Sequence, residues 1–198
     1  MRRRGTAAAA FAAGATGLVG LAVAVWPHGV HGYVSESGVP GTARADLYLL
    51  SIVLIAVAAA LLAGALWPVC RQAGALLLAA APAIGLSGAV TCTDGCPLPP
   101  YDPTTAQDLL HAGASIAGVG FSALAMLAVA WWPTGRLRPI ARAGVAVAWP
   151  VLVATAACMV FVGRSGVTGV LERLGLLACV AWMLATAVAI AVDPPRPG

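Results

Sequence analysis

Between Asp46 and Arg71 the chain reads LYLLSIVLIAVAAALLAGALWPVC, 24 consecutive residues without a charge. At a helical rise of about 1.5 Å per residue, roughly 20 apolar residues cross the ~30 Å hydrocarbon core of a bilayer. A charge at the centre of such a helix costs about 2.5 to 3.5 kcal/mol on insertion scales, so charged residues delimit the spans. The windows Arg4 to Glu36, Arg71 to Asp94, Asp108 to Arg136, Arg142 to Arg164 and Arg173 to Asp193 pass the same test. Together the six windows predict helices near 7–26, 47–67, 73–91, 109–132, 142–162 and 172–192. The expected fold class is therefore all-α, a polytopic six-helix transmembrane bundle forming one domain over residues 1–198.

Composition excludes the main alternatives. With 198 residues, 61% of them hydrophobic, and a mean hydropathy of +0.93, the chain has more apolar surface than one soluble domain can bury. Disorder fails on the same numbers, and five cysteines spread over this length do not make a disulfide scaffold. The first window begins with Arg2, Arg3 and Arg4, and Ala22-Val23-Ala24 would suit a signal peptidase. Its apolar stretch from Gly5 to Trp26 exceeds a signal core of about 7 to 15 residues, so it reads as a retained anchor.

Orientation follows from the arginines, since basic residues in short loops favour the cytoplasm. There are no lysines. With both termini inside, Arg2, Arg3, Arg4, Arg71, Arg136, Arg138, Arg142 and Arg196 are cytoplasmic, and only Arg44, Arg164 and Arg173 are outside. Six of the seven acids then fall outside, Asp193 being the exception. The expected location is the cell membrane, in N-in and C-in topology. The net charge of +4 implies contact with anionic lipid of the bilayer, and no nucleic acid is expected as a partner because no basic patch is interleaved with aromatics. Nothing in the composition sets an oligomeric state.

Trp26-Pro27, Trp67-Pro68 and Trp132-Pro133 each close a predicted helix, with the indole suited to the headgroup level and proline stopping the hydrogen-bond ladder. Gly14, Gly17 and Gly20 at spacing three predict a helix-packing face. In the outer loop Cys92-Thr-Asp-Gly-Cys96, two thiols outside the cytoplasm are close enough in sequence to form a disulfide around Asp94. Cys70, Cys158 and Cys179 read as small apolar filler. Thr104 or Thr105 followed by Gln107 and Asp108 resembles a helix start, placing His111 in the first turn beyond it. Glu172-Arg173 is expected to begin the last helix. Glu36, Asp94, His111 and Arg173 thus share one membrane level on different segments. Convergence there would pair Arg173 with Glu36 or Asp94, with His111 bridging.

A family resemblance rests on these same residues. Gly32-Tyr33-Val34-Ser35-Glu36-Ser37-Gly38, Asp94, Asp108-Leu109-Leu110-His111-Ala112 and Leu171-Glu172-Arg173-Leu174 resemble the pattern of domain-of-unknown-function family 998. That family comprises six-helix membrane proteins of bacteria and archaea, and the lysine-free composition suits an actinobacterial member. The family often shows Ser-Glu-Leu or Ser-Asp-Leu after the first helix and Gln-Arg before the last. Here Ser37 follows Glu36, and Glu172 precedes Arg173. The resemblance implies no activity. It does single out Ser35, Glu36, Asp94, His111, Glu172 and Arg173 as a polar cluster at the outer ends of the helices.

Two functions fit this reading. One is a multi-pass membrane protein whose outer polar cap binds a lipid, small molecule or partner. The other is a metal-dependent membrane hydrolase acting on a lipid amide or ester, with His28, His31, His111, Asp94 and Ser35 as its ingredients. His28-Gly-Val-His31 lacks the i, i+4 spacing of a zinc-protease helix, so no metal site is assigned. An ion-coupled transporter would need ionisable groups near the midplane, and the six windows have none. No phosphate loop, dinucleotide fingerprint or haem-attachment motif occurs, so no cofactor is expected.

Overall fold

In the computed structural model, which describes residues 2–132 and 135–192, six helices form from the six charge-poor windows. They are α1 (Arg2–Val25), α2 (Ala45–Leu66), α3 (Arg71–Ala89), α4 (Ala106–Trp131), α5 (Leu137–Phe161) and α6 (Gly166–Ala191). Two 3-10 turns, Trp26–His28 and Val34–Gly38, lie between α1 and α2, and there is no strand among the described residues. Each helix is long and apolar enough to cross a membrane. The chain is a multi-pass membrane protein. The expectations placed on Pro133, Asp193, Arg196 and the side chains of Arg2 and His28 lie outside the described residues.

α2, α3 and α4 begin within three residues of expectation, and α1, α5 and α6 start five or six residues earlier. α5 begins at Leu137 instead of 142, and α6 at Gly166 instead of 172. Charges near a membrane surface do not end a helix, because long arginine side chains carry their charge back toward water. Pro139 is tolerated in the first turn of α5, where its missing N–H has no helical partner to lose. α6 is started by Ser165, whose hydroxyl accepts the Thr168 N–H at 3.2 Å. Thr105 caps α4, with Asp108 completing a capping box.

Consecutive helices pack side by side, and α1 also packs on α6, so the six close into a ring. The α1 seam shows why. A Cβ on Gly17 would stand 2.8 Å from the Ser51 carbonyl oxygen, and one on Gly20 would stand 2.5 Å from Ser51 Oγ. The glycine stripe thus lets α1 lie directly on the α2 backbone. Across the ring, Trp182 of α6 and Met126 of α4 both approach Gly144 of α5. Leu62, Leu66, Leu77, Met126, Val129 and Ile190 are fully buried and belong to one apolar cluster. α5 is the outlier: 11% of its most apolar window is buried, against 56% for α2.

Trp26, Trp131 and Trp132 are exposed at helix ends, as membrane anchors require. The segments 26–44, 90–105 and 162–165 meet at one end of the bundle, here called the cap end.

Candidate functional site

The first part of the cap lies on α6. Segment 29–38 is glycine-rich and turns tightly, with positive φ at Gly29 and Gly32. Arg173 takes two carbonyl oxygens of this segment and one from its own helix: its Nη1 donates to Gly32 at 3.0 Å and to Gly169 of α6 at 2.8 Å, and its Nη2 donates to Gly29 at 2.8 Å. Glu172 Oε2 accepts the Val34 N–H at 2.8 Å. Glu36 closes its own turn by accepting the Tyr33 N–H at 2.8 Å, and it receives a two-pronged guanidinium from Arg164 at 2.7 and 2.6 Å. That bond raises the Arg164 pKa still further. The close fit depends on Gly169, since a Cβ there would strike the Gly32 and Val30 carbonyl oxygens. Gly32 itself has φ +85°, the left-handed region that favours glycine.

The second part lies on α4. Cys92 and Cys96 form a disulfide, with Cα atoms 5.0 Å apart. Asp108 lies just beneath it, only 1% exposed, and its two oxygens accept from Thr93 N (2.7 Å), Thr93 Oγ1 (3.0 Å), Thr105 N (3.0 Å) and Thr105 Oγ1 (2.6 Å). A carboxylate so deeply buried needs that many donors. One turn further, His111 Nδ1 is 2.7 Å from the Val90 carbonyl oxygen. A carbonyl can only accept, so Nδ1 carries the proton and Nε2 keeps the lone pair in the neutral ring.

Ser35 joins the two parts, its hydroxyl directed at Cys96 Sγ at 3.3 Å. Tyr33 packs on the disulfide with Leu98 and Met159. Its burial, with Glu172 and Glu36 nearby, pushes the phenol up to about 12, so it stays protonated. Between the parts is a cavity of about 60 Å³ lined by Tyr33, Ser35, Asp108, His111, Ser115 and Glu172 among polar side chains, with Ile116 and Met159 on its apolar side.

Of the residues singled out from sequence, Ser35, His111 and Glu172 line this cavity, while Glu36 and Arg173 lie beside it in the clasp on α6. Asp94 is exposed at the disulfide turn, away from the cavity lining. The expected pairing of Arg173 with Glu36 or Asp94 is corrected: Arg164 pairs with Glu36, and Arg173 binds backbone carbonyls. The reason is the early start of α6, which puts Arg164 in the connection facing Glu36 and Arg173 two turns along the helix. Likewise Glu172 does not open α6 but faces the cavity from within it. Asp108, Thr93, Tyr33 and Arg164 were missed as site residues. Asp108 was legible as a helix start, but nothing in the sequence pairs it with Thr93.

A family model described as "Protein of unknown function (DUF998)" matches residues 5–189. The chain belongs to this family. Comparison with curated proteins and with solved structures finds no match. The DUF998 match spans all six helices and the whole cap, so clasp, disulfide turn and cavity all lie within the matched region.

Proposed function

We propose that this DUF998 protein binds a lipid or small molecule in the cavity beneath its cap, at the extracytoplasmic face of the cell membrane. The observation that carries the reading is that His111 and Glu172 come from different helices to one cavity, and each keeps an acceptor that no described residue engages. Both acceptors belong to side chains that line the cavity, and a bound molecule with N–H or O–H groups would supply their donors. Substitution of Ala112, which also lines the cavity, by Leu should fill it and leave the cap bonds intact. Native mass spectrometry of the purified full chain should then find a small molecule or lipid retained by wild type and lost from Ala112→Leu. Equal retention by both would refute the site.

The topology in this reading is N-in and C-in, with the 198 residues as one domain. The arginine bias supports it. So does the fate of the three cap-end arginines, since Arg44 bonds the Val23 carbonyl, Arg164 pairs with Glu36, and Arg173 binds three carbonyls. Reporter fusions after Ala45, Gln72, Thr105, Arg138, Ser165 and Gly198 should alternate out, in, out, in, out, in. Any break in that order would refute it.

The hydrolase reading has less support. Among the described residues no three His, Cys, Asp or Glu side chains are grouped to hold a metal, and the Ser35 hydroxyl is directed at Cys96.

A further inference from the structure

The polar valences around the cavity are unequal in kind. Asp108 is saturated by Thr93 and Thr105. His111, only 5% exposed, spends its N–H on Val90 and presents a lone pair at Nε2. Glu172 has one oxygen on Val34, and its other accepts no hydrogen bond from the described residues. No arginine lines the cavity, and the chain has no lysine. The site therefore offers a carboxylate oxygen and an imidazole lone pair beside the ring of Tyr33, with no arginine in its lining. A group with several N–H donors and a positive charge complements all three.

The mouth of the cavity indicates what carries that group. Ile116 lines it and is 65% exposed, and it lies ten residues into the membrane-spanning α4, about 15 Å along the axis. The lining also includes Met159 of α5, the least buried of the spans. The cavity thus reaches the bundle surface where acyl chains would run. One water needs roughly 10 to 15 Å³ of such space, so about 60 Å³ admits several water-sized groups, enough for an ammonium with a carbon or two.

We propose that the cavity takes the protonated primary amine of a lipid headgroup, entering sideways between α4 and α5. This rests on the ligand-binding reading above. The test uses the purified full chain in detergent, titrated by native mass spectrometry with short-chain phosphatidylethanolamine, phosphatidylcholine and phosphatidylglycerol. Phosphatidylethanolamine should bind at least about tenfold tighter than the other two, which offer no N–H. Glu172→Gln keeps a carbonyl oxygen for Val34 and removes the charge; it should lose about tenfold for phosphatidylethanolamine and leave the others unchanged. His111→Asn keeps a donor for Val90 and removes Nε2, so it should lose several-fold and carries the test if Glu172→Gln fails to fold. Equal binding of phosphatidylglycerol or phosphatidylcholine overturns the amine assignment while the ligand-binding reading stands. Failure of every lipid to bind overturns the lipid proposal; retention of some other molecule by wild type and its loss from Ala112→Leu would leave the ligand-binding reading in place. Free ethanolamine competing as tightly as the lipid retains the amine and overturns the lipid source.

Discussion

The two parts of the cap are fastened by different chemistry. On α6, segment 29–38 is clasped by charged side chains reaching backbone groups and one another: Arg173 to the Gly29 and Gly32 carbonyls, Glu172 to Val34, and Arg164 to Glu36. On α4, the turn at 92–96 is closed covalently and seated on Asp108, which receives only neutral donors. The clasp on α6 reaches the surface, and Arg164 is 49% exposed. In the seat on α4, Asp108 itself is buried, although Thr105 above it is exposed. The lesson is that distance from water, and not formal charge, decides which bonds matter most.

This ordering gives graded expectations, each read as thermal or denaturant stability of the purified protein. Asp108→Ala should be the most damaging. It strips two backbone N–H groups and two hydroxyls of their acceptor at a buried site, and unsatisfied groups cost about 1 to 3 kcal/mol each, so a total above about 3 kcal/mol is expected. A loss under about 1 kcal/mol would mean the seat is wet. Arg173→Ala should follow at roughly 2 kcal/mol, because three carbonyls lose one shared donor. Arg173→Lys should recover only part of it, since a point charge cannot reproduce the guanidinium fork.

Removing the disulfide with Cys92→Ser and Cys96→Ser should cost about 2 kcal/mol in the loop-entropy picture, because the closed loop is short. The pair should also resist thiol labelling until a reductant is added, whereas ready alkylation without reductant would contradict it. Smallest is Arg164→Ala, worth less than about 1 kcal/mol and shrinking at high salt, since a pair this exposed is screened. If Arg164→Ala proved as damaging as Asp108→Ala, the contrast between the two parts would collapse.

Much of the bundle was legible because charge-free length is a one-dimensional property. Six windows became six helices, and the spacing of Gly14, Gly17 and Gly20 correctly marked the α1 face that meets α2. The starts of α5 and α6 were misjudged because charges were treated as boundaries, although Arg138, Arg142, Glu172 and Arg173 all lie within helices. The candidate site was legible only by membrane level. Between two acids fourteen residues apart, the cysteine brackets favoured Asp94, yet Asp94 is exposed and Asp108 is buried. Burial depends on what stands opposite, here Thr93, and no periodicity encodes it. Arg164 and Arg173 were interchangeable at the sequence level, since either has the reach to meet Glu36. Only the early start of α6 separates them.

If the cavity binds a ligand as proposed, it should select a molecule which the rest of the membrane-facing surface does not. Ile116 at its mouth and Val153 on α5 are matched in exposure, at 65% and 62%, and both lie on membrane-spanning helices. A photo-crosslinking amino acid placed at each position in turn, and irradiated in native membranes, compares them directly. Position 116 should capture one class of molecule well beyond its share of the membrane, while position 153 should capture lipids in proportion to their abundance. The same capture profile at both positions would contradict that selection.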